Sequence, residues 1–372
     1  MAGSGKVVFV TGWPGFIGRR LVRRLATTLD PSRDRLVLFT RAHNALAART
    51  ELSALGIPGE VAEGDVASMH LGLSGAEYRG LAAEVTDLWH LAAVYDSGLS
   101  EATLRAVNVE GTRNVVELAR ASGRLHRLHH FSTAYVSGDR EGVILEEELE
   151  SGQGFHGSYE RTKFQAERLV RRAMAELPAT VYRPSIVVGD SQTGEVDRFN
   201  GPYYLAILLV ASPLSVPLPL PGNGVAPLNV VPVDFVVEAA LSLSENPAAV
   251  GKAIHLVDPS PLSARGVYEL IAQRAGKTLP SVALPHRVIE ALLGLPLLER
   301  LVRPHRNAIR LVNQLAIYNC RNQLELLAGT GITCPPITSY LDRLIEFVRG
   351  YFATPPPRPR ADDVDDPLDR LP

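Results

Sequence analysis

Cysteine is nearly absent: Cys320 and Cys334 are the only two in 372 residues. That excludes a disulfide framework and a four-cysteine zinc site, and it suits a reducing, cytoplasmic setting. Neither sign of charge is in excess, since 40 acids face 38 bases for a net of −2. The stretch 354–372 alone carries five Asp and three Arg, which accounts for that −2 and leaves the body neutral. A neutral body offers no electrostatic footprint for nucleic acid. The opening MAGSGKVVFVTG lacks the shape of a signal peptide, so a secretory leader is not expected there. Tyr203 to Leu220 is uncharged over 18 residues, but Pro213, Pro217 and Pro219 interrupt it. A membrane-spanning helix is therefore not expected there, although peripheral attachment is compatible with it. Lysine is also scarce, with Lys6, Lys163, Lys252 and Lys277 the full set.

What is present is an alternation of short apolar runs and helical spacings. Runs at 6–10, 36–39, 60–63, 88–91, 128–132, 180–182 and 254–257 read as strands. Helical patterns at 16–29, 44–55, 101–121 and 158–176 fall between them. That order predicts an α/β fold, a doubly wound parallel sheet with right-handed crossovers. Residues 1–200 form the expected dinucleotide-binding domain, with a return segment near 225–260. From Pro202 to Pro232 seven prolines mix with Leu and Val, and residues 262–352 carry helical but no strand pattern. Segments 201–224 and 261–353 are thus expected to build a smaller, mostly helical substrate lobe lined by apolar residues. Residues 354–372, Pro-rich and then acidic, read as a disordered tail.

Between the first strand and first helix stands Thr11-Gly12-Trp13-Pro14-Gly15-Phe16-Ile17-Gly18. Gly12 permits a tight turn, Gly15 lets backbone approach a pyrophosphate, and Gly18 lets the helix pack on the strand. The helix N-terminus then offers N–H groups to the anion. The second strand ends in Thr40-Arg41 rather than in an acid. A guanidinium there suits a ribose 2′-phosphate, so NADP(H) is expected over NAD. Asp65 and Val66 follow the third strand, where the adenine would lie. Leu91, Ala92 and Ala93 follow the fourth, where small residues let backbone run beside the cofactor.

Tyr159 and Lys163 stand at i and i+4, on one helix face. Reducing a carbonyl by hydride requires a proton for its oxygen. A nearby ammonium lowers a phenol's pKa and makes Tyr the donor. Lys163 is expected to do this and to hold the nicotinamide ribose. A hydroxyl must orient the carbonyl, and Ser132-Thr133 at the end of the fifth strand supplies it. Thr133 is assigned the role, with Ser132 the rival.

Together these pieces resemble the extended short-chain dehydrogenase/reductase superfamily over roughly residues 6–260. The matching segments are TGWPGFIG, GDV, HLAA, NVEGT, STAYVSG, YERTK and YRPSIVVGD. The resemblance implies a Rossmann-like fold and NAD(P)-dependent oxidoreduction. It places Asn108 as the helix residue steadying the Lys region, and Pro184, Ser185 and Ile186 against the nicotinamide. STAYVSG and YRPSIVVGD look most like the male-sterility, fatty acyl-CoA reductase and thioester reductase branch. That branch implies NADPH-dependent reduction of a CoA- or carrier-linked acyl thioester to aldehyde or alcohol. Trp13-Pro14 departs from the small residues usual in that turn and is expected to alter the loop over the pyrophosphate.

The expected substrate is a small apolar molecule. Competing readings are a steroid- or flavonoid-type ketone oxidoreductase, a nucleotide-sugar epimerase or dehydratase, and a non-catalytic dinucleotide sensor. The epimerase reading wants polar and basic residues that 203–221 lack, and a sensor has no need of Thr133, Tyr159 and Lys163 together. His126, His129 and His130 alternate in facing, which makes a metal site awkward, and no metal is expected. The run Glu146–Glu150 reads as a solvated face, and the two cysteines as buried thiols.

Overall fold

The computed structural model describes residues 5–95, 99–196, 224–276 and 314–353. Tyr203–Leu220, residues 277–313 of the expected substrate lobe and the expected tail 354–372 lie outside the described residues. In chain order the strands are β1 (Val7–Thr11), β2 (Arg35–Thr40), β3 (Gly59–Glu63), β4 (Asp87–His90), β5 (Arg127–Phe131), β6 (Gly142–Ile144), β7 (Ala179–Pro184), β8 (Ile186–Val188), β9 (Val230–Pro232), β10 (Ala253–Leu256) and β11 (Ala316–Tyr318). Seven of them make one parallel sheet in the order β10-β7-β5-β4-β1-β2-β3. This is the doubly wound order. Its direction reverses between β1 and β4, the position where such sheets open a crevice for ligands.

Both faces of the sheet are covered, which is why β1 is buried at every residue rather than at alternate ones. Val8 and Val10 face a cluster with Leu21, Val22 and Leu25 of α1 (Phe16–Thr28) and with Val236 and Ala240 of the Val233–Glu245 helix. Val7 and Phe9 face the opposite cluster, with Val115, Val116 and Leu118 of the Gly111–Ala121 helix and Val170 of the Ser158–Ala173 helix. A third cluster stands apart from the sheet and joins Val188, Leu228 and Val230 to Val267, Ile271, Tyr340 and Leu344. Among the described residues no helix is long and apolar enough to cross a membrane.

Three expectations change. Sheet structure does continue after residue 257: β11 pairs in parallel with β6, Ile317 opposite Val143. Three-residue strands carry too little pattern to be seen in sequence. The span 101–121 is not one regular helix, because Ala106–Glu110 forms a π turn between Glu101–Arg105 and Gly111–Ala121. The acidic run is not simply solvated. Glu146 is 1% exposed, and its carboxylate accepts from the backbone N–H groups of His255 at 2.9 Å and Asn322 at 2.6 Å. Of the cysteines, Cys320 is buried and Cys334 half-buried, both free.

Candidate active site

The sheet's crevice is a cleft of about 790 Å³, inside the ~300–1,000 Å³ usual for ligand sites. Its floor is the β1–α1 turn. Gly12 takes φ +88°, and a Cβ there would lie 2.6 Å from Ala92 N, so the turn and the β4 exit can meet only through glycine. A Cβ on Gly18 would lie 2.4 Å from Gly12 O, which lets α1 sit directly against the turn. No side chain caps α1 and no acid stands in its first turn, so the leading N–H groups at Phe16, Ile17 and Gly18 line the cleft with their positive dipole end. These features fit the pyrophosphate of a dinucleotide. Trp13 lines the cleft floor from the core side. Its ring is 6% exposed within the apolar core, and its carbonyl accepts from Thr40 Oγ1 at 3.2 Å, which ties the turn to β2.

The cleft gathers most of the residues expected at the cofactor. Gly12, Pro14, Gly15, Phe16, Ile17, Arg41, Asp65, Val66, Leu91, Ala92, Ala93, Ser132, Tyr159 and Lys163 all line it. Thr133, Pro184, Ser185 and Ile186 do not. Thr133 begins a 3-10 turn, where its Oγ1 accepts from Tyr135 N–H at 3.3 Å and lies 3.5 Å from the Pro184 carbonyl. Ser132 is committed elsewhere, since its Oγ donates to Glu167 Oε2 at 2.7 Å. Arg41 Nε stands 3.6 Å from Asp65 Oδ2, so the expected phosphate ligand already has an acidic neighbour.

Tyr159 and Lys163 share one face of the Ser158–Ala173 helix, as their spacing requires. Lys163 Nζ donates to the Phe131 carbonyl at the end of β5, at 2.7 Å. Burial pushes its pKa down to about 8, with Glu167 partly offsetting that. The expected lowering of the Tyr159 pKa is not what the geometry gives. Burial pushes that phenol up, and Tyr95 and Glu160 add to the rise. The reason is burial first: the phenol sits in a low-dielectric wall, while one of the three ammonium donors of Lys163 goes to Phe131 O.

His90, Thr112, Glu167 and Arg183, which sequence reasoning missed, hold this arrangement together with Asn108, which the resemblance had placed beside the Lys region. His90 ends β4. Thr112 Oγ1 donates to Asn108 O at 2.7 Å, so it accepts from His90 Nε2, 2.9 Å away. The other nitrogen, Nδ1, then accepts from Thr11 Oγ1 at 2.9 Å. Burial pushes His90 down to about 3, which keeps it neutral for this bridge. Asn108, in the π turn, accepts from Val94 N–H at 2.8 Å and donates to Val94 O at 3.1 Å and to Thr162 Oγ1 at 3.0 Å. Beneath Lys163 lies a buried ion pair. Arg183 Nη2 reaches Glu167 Oε1 at 2.7 Å, with the side chains 1% and 0% exposed. Burial raises the Glu167 carboxyl, but Arg183, Arg171 and Ser132 more than offset it and hold it below the usual range. Apart from the one-turn bond of Thr112 to Asn108, these pairings had no local signal, because each joins separate elements of the chain. The three histidines scatter: His129 stacks on Trp89, His130 lies 5.3 Å from His90, and His126 faces solvent.

A family model for male sterility protein matches residues 10–240. The chain belongs to that family. It is therefore an NAD(P)-dependent oxidoreductase of the extended short-chain type, and its cofactor is a nicotinamide dinucleotide. It is 29% identical over 364 residues to the nonribosomal peptide synthetase asaC of Aspergillus flavus, a match covering 88% of this chain and 35% of that protein. It is 27% identical to the fatty acyl-CoA reductase wat of Drosophila melanogaster, over 64% of this chain and 53% of that one. Among solved structures, it superposes on the terminal R domain of the myxalamid PKS-NRPS pathway with a TM-score of 0.80. That match has 26% identity and covers 96% of this chain and 94% of that one. The chain spans about a third of the length of asaC.

Proposed function

We propose that this protein uses NADPH to reduce the carbonyl of an apolar acyl thioester, carried on CoA or on a carrier protein, to the aldehyde with release of the free thiol, or with a second NADPH to the alcohol. The observation that carries this reading is the opening of Tyr159 and Lys163 onto the same cleft as the uncapped α1 terminus and Arg41. The likeness to a fatty acyl-CoA reductase and to a terminal R domain supports the thioester over other carbonyls. Arg41 supports NADPH, through charge-assisted bonds to a 2′-phosphate.

When bound, the nicotinamide supplies the hydride. This chain's residues do the rest. Tyr159 holds a proton at its phenol oxygen, and burial keeps it there until the substrate oxygen gains charge. Lys163 brings a buried positive charge to the end of β5 and is available to the nicotinamide ribose. Thr133, just outside the cleft lining at the turn after β5, is assigned to orient the carbonyl, a role for which its hydroxyl must turn away from the Pro184 carbonyl. Pro184, Ser185 and Ile186 would border the nicotinamide from just outside the cleft lining.

The deciding experiment incubates purified protein with NADPH and a panel of acyl-CoAs, ketones and nucleotide sugars, following loss of nicotinamide absorbance. Acyl-CoAs are expected to turn over best. Tyr159→Phe should keep the fold and cofactor binding and lose at least ~100-fold in kcat, the usual range for a lost general acid. Nucleotide sugars outperforming thioesters, or an active Tyr159→Phe, would refute the reading.

A further inference from the structure

Tyr95 follows β4 on the outer side of the cleft and lines it together with Tyr159 and Lys163. Its ring meets Tyr159 edge to face, with centroids 4.7 Å apart at 83°. Unlike the rings of the core it stays 53% exposed, so half of a large apolar surface is open to whatever enters beside Tyr159. The main chain just before it is fixed. Asn108 clamps both polar groups of Val94, and the same side chain bonds Thr162, next to Lys163. One amide therefore holds the backbone at Tyr95 in register with the helix that carries Tyr159.

We propose that Tyr95 is a specificity-determining residue of the reductase site: its exposed ring is the wall on which the carbon chain next to the reacting carbonyl packs. This rests on the reductase reading above and adds the residue that selects among its substrates. A chain of several methylenes gains from covering the ring, whereas an acetyl group is too short to reach across it. Tyr95 touches substrate carbon rather than the reacting atoms, so its effect belongs in KM.

The test compares octanoyl-CoA, acetyl-CoA and octanal as substrates for the wild type, Tyr95→Ala and Tyr95→Phe, with NADPH affinity measured by fluorescence. Tyr95→Ala is expected to raise KM for octanoyl-CoA and octanal by roughly tenfold, the scale of a lost aromatic contact. The KM for acetyl-CoA should move less than about twofold on the same argument, and any change in kcat from the lost contact with Tyr159 should be equal for the long and short substrates. Tyr95→Phe, which keeps the ring, should recover most of the lost KM. A fall in kcat at unchanged KM would place Tyr95 behind Tyr159 and overturn the proposal, as would equal KM changes for the long and short substrates. Wild-type protein that oxidises no NADPH with any of the three would overturn the reductase reading itself. Wild-type turnover with an unaltered Tyr95→Ala would overturn the wall alone.

Discussion

At the residue scale, Arg41 and Asp65 lie 3.6 Å apart at the far end of the cleft, so a 2′-phosphate arriving there competes with a carboxylate for the guanidinium. A dianionic phosphate held by charge-assisted bonds contributes about 1.5–3 kcal/mol, enough to win at a half-exposed pair. Arg41→Ala should weaken NADPH roughly tenfold to a hundredfold and leave NADH nearly unchanged, by the same magnitude. Titration of both cofactors checks this, and equal losses would remove Arg41 from the role. Lys163 sets a second expectation. It is an ammonium below about 8 and neutral above, so reductase kcat/KM should fall as pH rises through about 8. Glu167→Gln removes the charge that holds that value up, and should move the falling limb to lower pH. A limb that stays in place would mean another group governs it. The stability sign follows too. Folded Lys163 releases its proton near 8 against 10.5 in the unfolded chain. Its contribution is therefore full above 10.5 and is lost as pH falls through about 8. Glycine spacing and the Tyr–Lys interval were legible because both are local: a turn and one helix face lie within a few residues. The state of Tyr159 was not legible, because it depends on where Lys163 Nζ points and on how much of the wall is dry.

At the element scale, the π turn Ala106–Glu110 is what aims Asn108 at two targets. A π turn inserts one residue into the helical repeat, so the side chain leaves the regular stripe and reaches Val94 and Thr162 together. In sequence the 101–121 stretch keeps its amphipathic rhythm on either side, which hides the insertion. Removing the clamp leaves the Val94 N–H and carbonyl unpaired, at about 1–3 kcal/mol for such groups. Asn108→Ala should lower the urea midpoint by a corresponding amount at constant m value. A shift too small to measure would mean that water replaces the amide. The strands and helices of the main sheet were read closely because buried parallel strands are continuous apolar runs bounded by turns. The short pairs β6·β11 and β8·β9 were not, since three residues hold no period.

At the scale of the whole molecule, Glu146 joins parts of the chain that no local pattern connects. Its carboxylate accepts from His255 on β10 and from Asn322 at the start of the Arg321–Leu327 helix, while its carbonyl accepts from Arg183 Nη1 at 3.2 Å. Hydrogen bonds to a charged acceptor contribute about 1.5–3 kcal/mol each. Glu146→Ala should therefore speed amide hydrogen exchange at residues 314–327 while the centre of the sheet stays protected. Unchanged exchange would show that the segment is held by packing alone. Read as sequence, five residues with four acids look like surface, because most such runs are. Only the finished fold reveals one carboxylate turned inward. This arrangement also carries an expectation for the order of assembly. As a ribosome extends the chain, β1 to β7 can pair long before residue 255 exists, yet the group at 146 has no amides to meet until residues 255 and 322 have both emerged. Docking of β11 beside β6 comes later than the sheet for the same reason, across a loop of more than a hundred and fifty residues. Closure of residues 314–327 over the sheet is therefore expected to be a late step of folding, leaving the Glu146 carboxylate and the β6 edge open to other chains until then.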